Sequence, residues 1–233
     1  MDIGRDRSVA GVAVATGVAG LISVASLTLF FAVGKPFGAI NDWTVGLVGL
    51  LSGLLAAMIR SRGVAGSPGP GAVSTGVAVV GAAIVVAGSA LVISQTTGFM
   101  LAGLVESLGF ALIGFWLIAL SRSTGSASGW SRPLRNLGLV AGIVMAVGIV
   151  VAPGIAMGVD DMDTAPGWIW LGFVGWLGIF VLYPIWTIWF GNDLRTGRVH
   201  DGDDRDGPPD AALQVHPAGE DDPSLTPGPA PLV

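Results

Sequence analysis

Acidic and basic side chains are excluded from the long apolar runs of this sequence, and the one exception is Glu106. It stands seven residues inside Phe99–Leu120, FMLAGLVESLGFALIGFWLIAL, with no Lys, Arg or His in that run or any other to pair it. Desolvating a carboxylate without a cation favours the neutral acid, which keeps an O–H to donate. Two uses follow. Intramembrane acids mark proton or cation pathways. Equally, a neutral acid can hold two helices together by a hydrogen bond near the rim of a bundle, here to Gln95, Asn41 or an indole N–H. The helix centres offer few other polar groups, so the structural use is the expected one. On a helix the neighbours of Glu106 three and four positions away are Ala102, Gly103, Gly109 and Phe110. Three of these are small, so this face is expected against another helix, about 10 Å below the helix end at ~1.5 Å per residue.

Other arrangements carry less chemistry. Asp160-Asp-Met-Asp163 presents hard oxygen ligands that a divalent cation could take, but without the spacing or glycine of an EF-hand. A solvated acidic loop is the simpler reading. Cysteine is absent, which removes disulfides, thiolate metal sites and Cys nucleophiles. The only histidines, His200 and His216, lie outside every apolar run, so a bis-His haem within a membrane is excluded. HDGDDRD, residues 200–206, reads as a solvated charge run. No Walker, HExxH or GxSxG pattern occurs. No enzymatic activity, cofactor, metal site or nucleic-acid partner is expected.

The elements that position Glu106 are read from hydropathy. The 233-residue chain is 52% hydrophobic and 12% charged, half the charge of an average soluble domain; its mean hydropathy is +0.75. Six apolar runs span approximately 8–34, 43–58, 75–94, 99–120, 137–158 and 168–190. A bilayer core of ~30 Å needs about 20 helical residues, so five runs suffice and the second is marginal. Unbroken runs exclude barrel strands, which would alternate. The first run, behind Arg5 and Arg7, outlasts the ~7–15 apolar residues of a signal peptide and reads as a helix. The expected fold is all-α: a polytopic membrane bundle over residues 1–191, with a cytoplasmic tail from 192 to 233.

Charge sets the orientation. Lys35 is the only basic residue in the loops after the first, third and fifth helices. The arginines at 5, 7, 60, 62, 122, 132, 135, 195, 198 and 205 all fall at the other side, which the positive-inside rule assigns to the cytoplasm. A plasma-membrane protein with both termini cytoplasmic is expected, with Asp42 and the 160–163 acids outside.

Short outer loops such as Gln95-Thr-Thr-Gly98 join antiparallel neighbours, giving three hairpins. Gly46-Leu-Val-Gly-Leu-Leu, Gly103-Leu-Val-Glu-Ser-Leu and Gly172-Phe-Val-Gly-Trp-Leu align in the second helix of each, placing Glu106 where Gly49 and Gly175 stand elsewhere. Small residues four apart, at Gly11/Ala15/Ala19, Gly49/Gly53 and Gly138/Gly142/Ala146, collectively predict a tight bundle without a wide pore. Pro153 and Pro184 permit kinks. Trp168, Trp170, Trp186 and Trp189 lie near the ends of the sixth run and suit an interfacial belt, with Trp176 left open.

After Gly191 the sequence turns Pro-, Gly- and Asp-rich and loses apolar periodicity, so disorder is expected there. Its end, TPGPAP, suits a polyproline II docking segment or a solubilising tail. VESLGFALIGFWLIAL in the fourth helix and WLGFVGWLGIFVLYPIWTIWFGNDLR in the sixth resemble uncharacterised multi-pass integral membrane proteins of bacterial genomes. The resemblance implies topology and no catalytic residue. The functional expectation is a non-enzymatic scaffold or accessory protein contacting the lipid bilayer and a membrane or cytoplasmic protein. The alternative is a small proton- or cation-coupled transporter using Glu106.

Overall fold

A computed structural model describes residues 3–62, 71–124 and 130–197; the tail expected from 192 to 233 lies outside the described residues beyond Gly197. The described chain is helical, and six of its spans are long and apolar enough to cross a membrane. The first four are α1 (Ile3–Val33), α2 (Phe37–Arg62), α3 (Ala72–Ile93) and α4 (Phe99–Ser123). The fifth runs through α5 (Arg132–Ala146), a 3₁₀ segment (Val147–Val151) and α6 (Ala152–Ala156). The sixth comprises α7 (Ile169–Gly172), α8 (Val174–Leu177), a π turn (Gly178–Leu182) and α9 (Tyr183–Arg195).

Consecutive spans pack against one another, and the sixth closes onto α1. The result is a ring of six. One end carries the connections at Lys35, Gln95 and Asp160 and is acidic; the other carries Arg60, Arg122, Arg132, Arg135 and Arg195 and is basic. Burial is inverted relative to a soluble protein. Leu21, Leu50, Val80, Ile143 and Leu177 on the perimeter are exposed, while the hydroxyls of Ser23, Ser52, Ser107 and Thr187 are buried. Buried hydroxyls are tolerated because many bond within their own helix, as Ser52 does to the Val48 carbonyl (2.7 Å).

The second span is longer than the marginal run 43–58 suggested by hydropathy. It begins at Phe37, because Asn41 and Asp42 sit within the helix and not in the loop before it. Asn41 is buried there and bonded to α1, which offsets the cost of a polar residue in the span. At the other end of the chain α9 continues past Gly191 to Arg195, with Leu194 buried.

Small residues set the interhelical distances. A Cβ on Gly109 would lie 2.6 Å from the Gly81 carbonyl oxygen, and one on Gly142 2.8 Å from that of Gly114, so α3–α4 and α4–α5 meet backbone to backbone. The Gly49/Gly53 pair packs on Val85 and Ala82 of α3. Of the Gly11/Ala15/Ala19 stripe only Ala19 is buried: nothing lies within 4 Å of a Cβ at Gly11, and Ala15 is exposed. Gly17 and Gly20 make the α1 contact instead, against Pro184.

Both prolines follow irregular turns. Pro153 comes just after the 3₁₀ segment and Pro184 just after the π turn. Each lacks the N–H that would continue the ladder, so the preceding helix is free to tighten or widen.

The axis of the ring is filled by large side chains. Phe110, Trp116, Tyr183, Trp186 and Phe190 are all fully buried. Trp186 stacks on Phe190 (5.2 Å between centroids) and on Tyr183 (6.1 Å), and Trp130 lies 4.9 Å from Phe190. Trp186 is therefore a core residue and not part of an interfacial belt; Trp170 and Trp189 keep the exposed positions a belt requires. Midway along the axis the Tyr183 hydroxyl donates to Ser52 Oγ (3.0 Å), tying α9 to α2 across the ring.

Candidate functional site

Glu106 and its surroundings form a polar layer near the acidic end. The backbone brings four spans to this level: α4 two turns below its first residue, α2 one turn below, α1 near its last turns, and the sixth span at α8 and the π turn. Together they line a cleft formed by Leu27, Asn41, Val45, Phe99, Gly103, Glu106, Ser107, Phe110, Trp176, Ile179 and Phe180. Its cavity is about 20 Å³, room for a single water-sized group. A second, tighter crevice, sharing Val45, Phe110, Ile179 and Phe180 with this cleft, is lined by Gly20, Ser23 and Val48 and holds no room for water.

Glu106 Oε1 accepts a hydrogen bond from Ser89 Oγ at 2.7 Å, joining α4 to α3. Gly88 makes room for the acid, since a Cβ there would fall 2.7 Å from Glu106 Cγ. In the other hairpins the aligned position is itself a glycine: Gly49 packs on Val85, and Gly175 on the backbone of Gly148.

Asn41 joins the same layer from α2. Its Oδ1 accepts from Ser23 Oγ at 2.9 Å. Ser107 donates to the Gly103 carbonyl (2.7 Å) and accepts from Trp176 Nε1 (3.2 Å). Trp176, left open by the sequence, is a half-buried cleft residue, set edge-on to Phe173 at 4.2 Å and to Phe180 at 5.8 Å.

Of the three candidates named from sequence, Glu106 and Asn41 line one cleft and Gln95 does not. Gln95 is exposed at the end of α3 and takes a left-handed backbone (φ 57°), a role that ends a helix. The donor to Glu106 is Ser89, 17 residues away on α3. Sequence reasoning missed Ser23, Ser89 and Ser107. Serine in an apolar helix usually bonds its own backbone, so nothing in its identity announces a partner on another helix.

The acidic loop has a structural task. Asp160 accepts from the backbone N–H groups of Gly98 (2.6 Å) and Leu101 (3.0 Å), capping α4 from a distant part of the chain. Asp161 accepts from the N–H of Asp163 (3.0 Å). Among the described residues no group of three or more His, Cys, Asp or Glu side chains is placed to hold a metal ion.

Fold and site define an all-α, multi-pass membrane protein with a carboxyl group set in a polar layer near one end of the bundle. No protein-family model, curated protein or solved structure matches the chain.

Proposed function

We propose that this chain is a non-enzymatic scaffold or accessory protein of the plasma membrane. Its basic end and both termini lie in the cytoplasm, and its acidic end lies outside. The arginine distribution supports the orientation. The observation that carries the functional reading is the filled axis. Fully buried Tyr183, Trp186 and Phe190 stack on one another inside the ring, Tyr183 reaches Ser52 of α2, and none of them lines the cleft beside Glu106. Glu106 is engaged in an interhelical bond to Ser89, which is a use of a membrane carboxyl that needs no transported ion.

A second reading, a small proton- or cation-coupled transporter, is favoured by one observation. The span facing Glu106 across the cleft carries a π turn that ends two residues before Pro184, and π turns inside helices are frequent at functional sites. Proteoliposomes separate the two. The scaffold reading expects no flux driven by a pH or cation gradient. Gradient-driven flux that disappears in Glu106→Gln would replace it with the transporter.

A further inference from the structure

The hydroxyl and indole groups of the Glu106 cleft share one property: each already has an acceptor for its proton. Ser89 O–H points to Glu106, Ser23 O–H to Asn41 and Ser107 O–H to the Gly103 carbonyl. The Trp176 N–H points to Ser107. What remains for a guest is acceptor capacity: the Glu106 carboxyl, the second lone pair of Asn41 Oδ1 and that of Ser107 Oγ. Between them stand the rings of Phe99, Phe110, Trp176 and Phe180. Carboxylate, lone pairs and aromatic rings together favour a positively charged guest.

Size and surroundings narrow the class further. A cavity of about 20 Å³ admits one group the size of water, which is the size of an ammonium head. A bare inorganic cation needs about six oxygen ligands in place of its hydration shell, more than this layer supplies. An ammonium needs three acceptors for three N–H groups and gains from aromatic faces. Leu27, Val45 and Ile179 can receive an alkyl substituent. The rim adds a second, independent feature. Asp42, Asp160, Asp161 and Asp163 cluster at this end against Lys35 alone among the described residues, a field that concentrates cations at the mouth.

We propose that the cleft at Asn41, Glu106, Ser107 and Trp176 is a binding site for a primary ammonium group. Glu106 holds it as the carboxylate, any proton on the acid passing to solvent as the cation enters. The proposal does not depend on whether the guest crosses the membrane, so absence of flux leaves it standing.

The test is calorimetric titration of the full-length protein in lipid nanodiscs at constant ionic strength. Ethylammonium chloride and ammonium chloride are the probes, separating an organic amine from the free ion; sodium and tetramethylammonium chlorides are the controls. Saturable binding of ethylammonium or ammonium is expected, with neither control matching it. Glu106→Gln should weaken it about tenfold or more, the worth of one charge-assisted hydrogen bond. Gly103→Leu supplies an independent arm. The nearest atom to a Cβ at Gly103 is Trp176 Cζ2 at 4.0 Å, so a Cβ meets no clash there, and the rest of a leucine side chain is expected to occupy the cleft that Gly103 lines. That variant should fold and lose binding even if Glu106→Gln does not fold. Absence of saturable binding to the native protein would overturn the proposal. So would binding unchanged in the folded variants, or sodium or tetramethylammonium binding as tightly as the probes.

Discussion

At the scale of single residues the stability of the bundle rests more on small side chains than on the buried acid. Interhelical hydrogen bonds in membranes contribute about 0.6 kcal/mol on average, because the separated helices also find partners. Glu106→Gln retains a group able to accept from Ser89 and should leave the thermal midpoint in detergent nearly unchanged. Glu106→Ala also leaves a void against Gly88 and should cost about 1–2 kcal/mol. Glycines at the crossings are less forgiving. Gly109→Ala puts a methyl 2.6 Å from the Gly81 carbonyl oxygen, and rigid backbone cannot give way as a side chain would. It should cost about 1–3 kcal/mol, as overpacking does. Gly11→Ala, with nothing within 4 Å, should be neutral or slightly stabilising. Thermal unfolding of the pair in one detergent checks the contrast; equal midpoints would mean that α3 and α4 are not in backbone contact.

At the scale of elements, α4 is held from outside itself. Its first turn has no side-chain cap of its own, since Gly98 stands at the N-cap, and Asp160 from the loop after the fifth span satisfies two N–H groups in its place. Asp160→Ala should therefore lower stability by about 0.5–2 kcal/mol, the worth of a helix N-cap. Asp161→Ala, whose bond stays within its own loop, should change it far less. Comparable losses from the two variants would make the loop a diffuse charge and not a cap. The interruptions of the last two spans were only half legible from sequence. Pro153 and Pro184 announced breaks, but a proline does not say whether the ladder tightens to 3₁₀ or widens to π. Here the first happens in the fifth span and the second in the sixth.

At the scale of the whole molecule, the orientation is open to direct measurement. The chain has no cysteine, so single cysteines report without background. An impermeant thiol reagent applied to intact cells should label Thr97→Cys and Thr164→Cys, at the acidic end, and spare Ser126→Cys. Labelling of the last would invert the protein in its membrane. The six spans themselves were readable from hydropathy alone, because a bilayer demands about 20 apolar residues wherever a helix crosses. The neighbour order was readable for the same local reason: short loops force successive helices to be adjacent. Glu106 was identifiable because a lone carboxyl in an apolar run is conspicuous whatever surrounds it. Its partner was not, since Ser89 and Ser23 resemble any serine that bonds its own helix, and only the closed ring brings them to Glu106 and Asn41. The same closure moved Trp186 from an expected belt position into the axis, where it stacks on Phe190. Local composition decides which segments are helices and how many cross. Which faces turn inward depends on contacts among residues far apart in the chain, so only the tertiary structure decides what the acid touches.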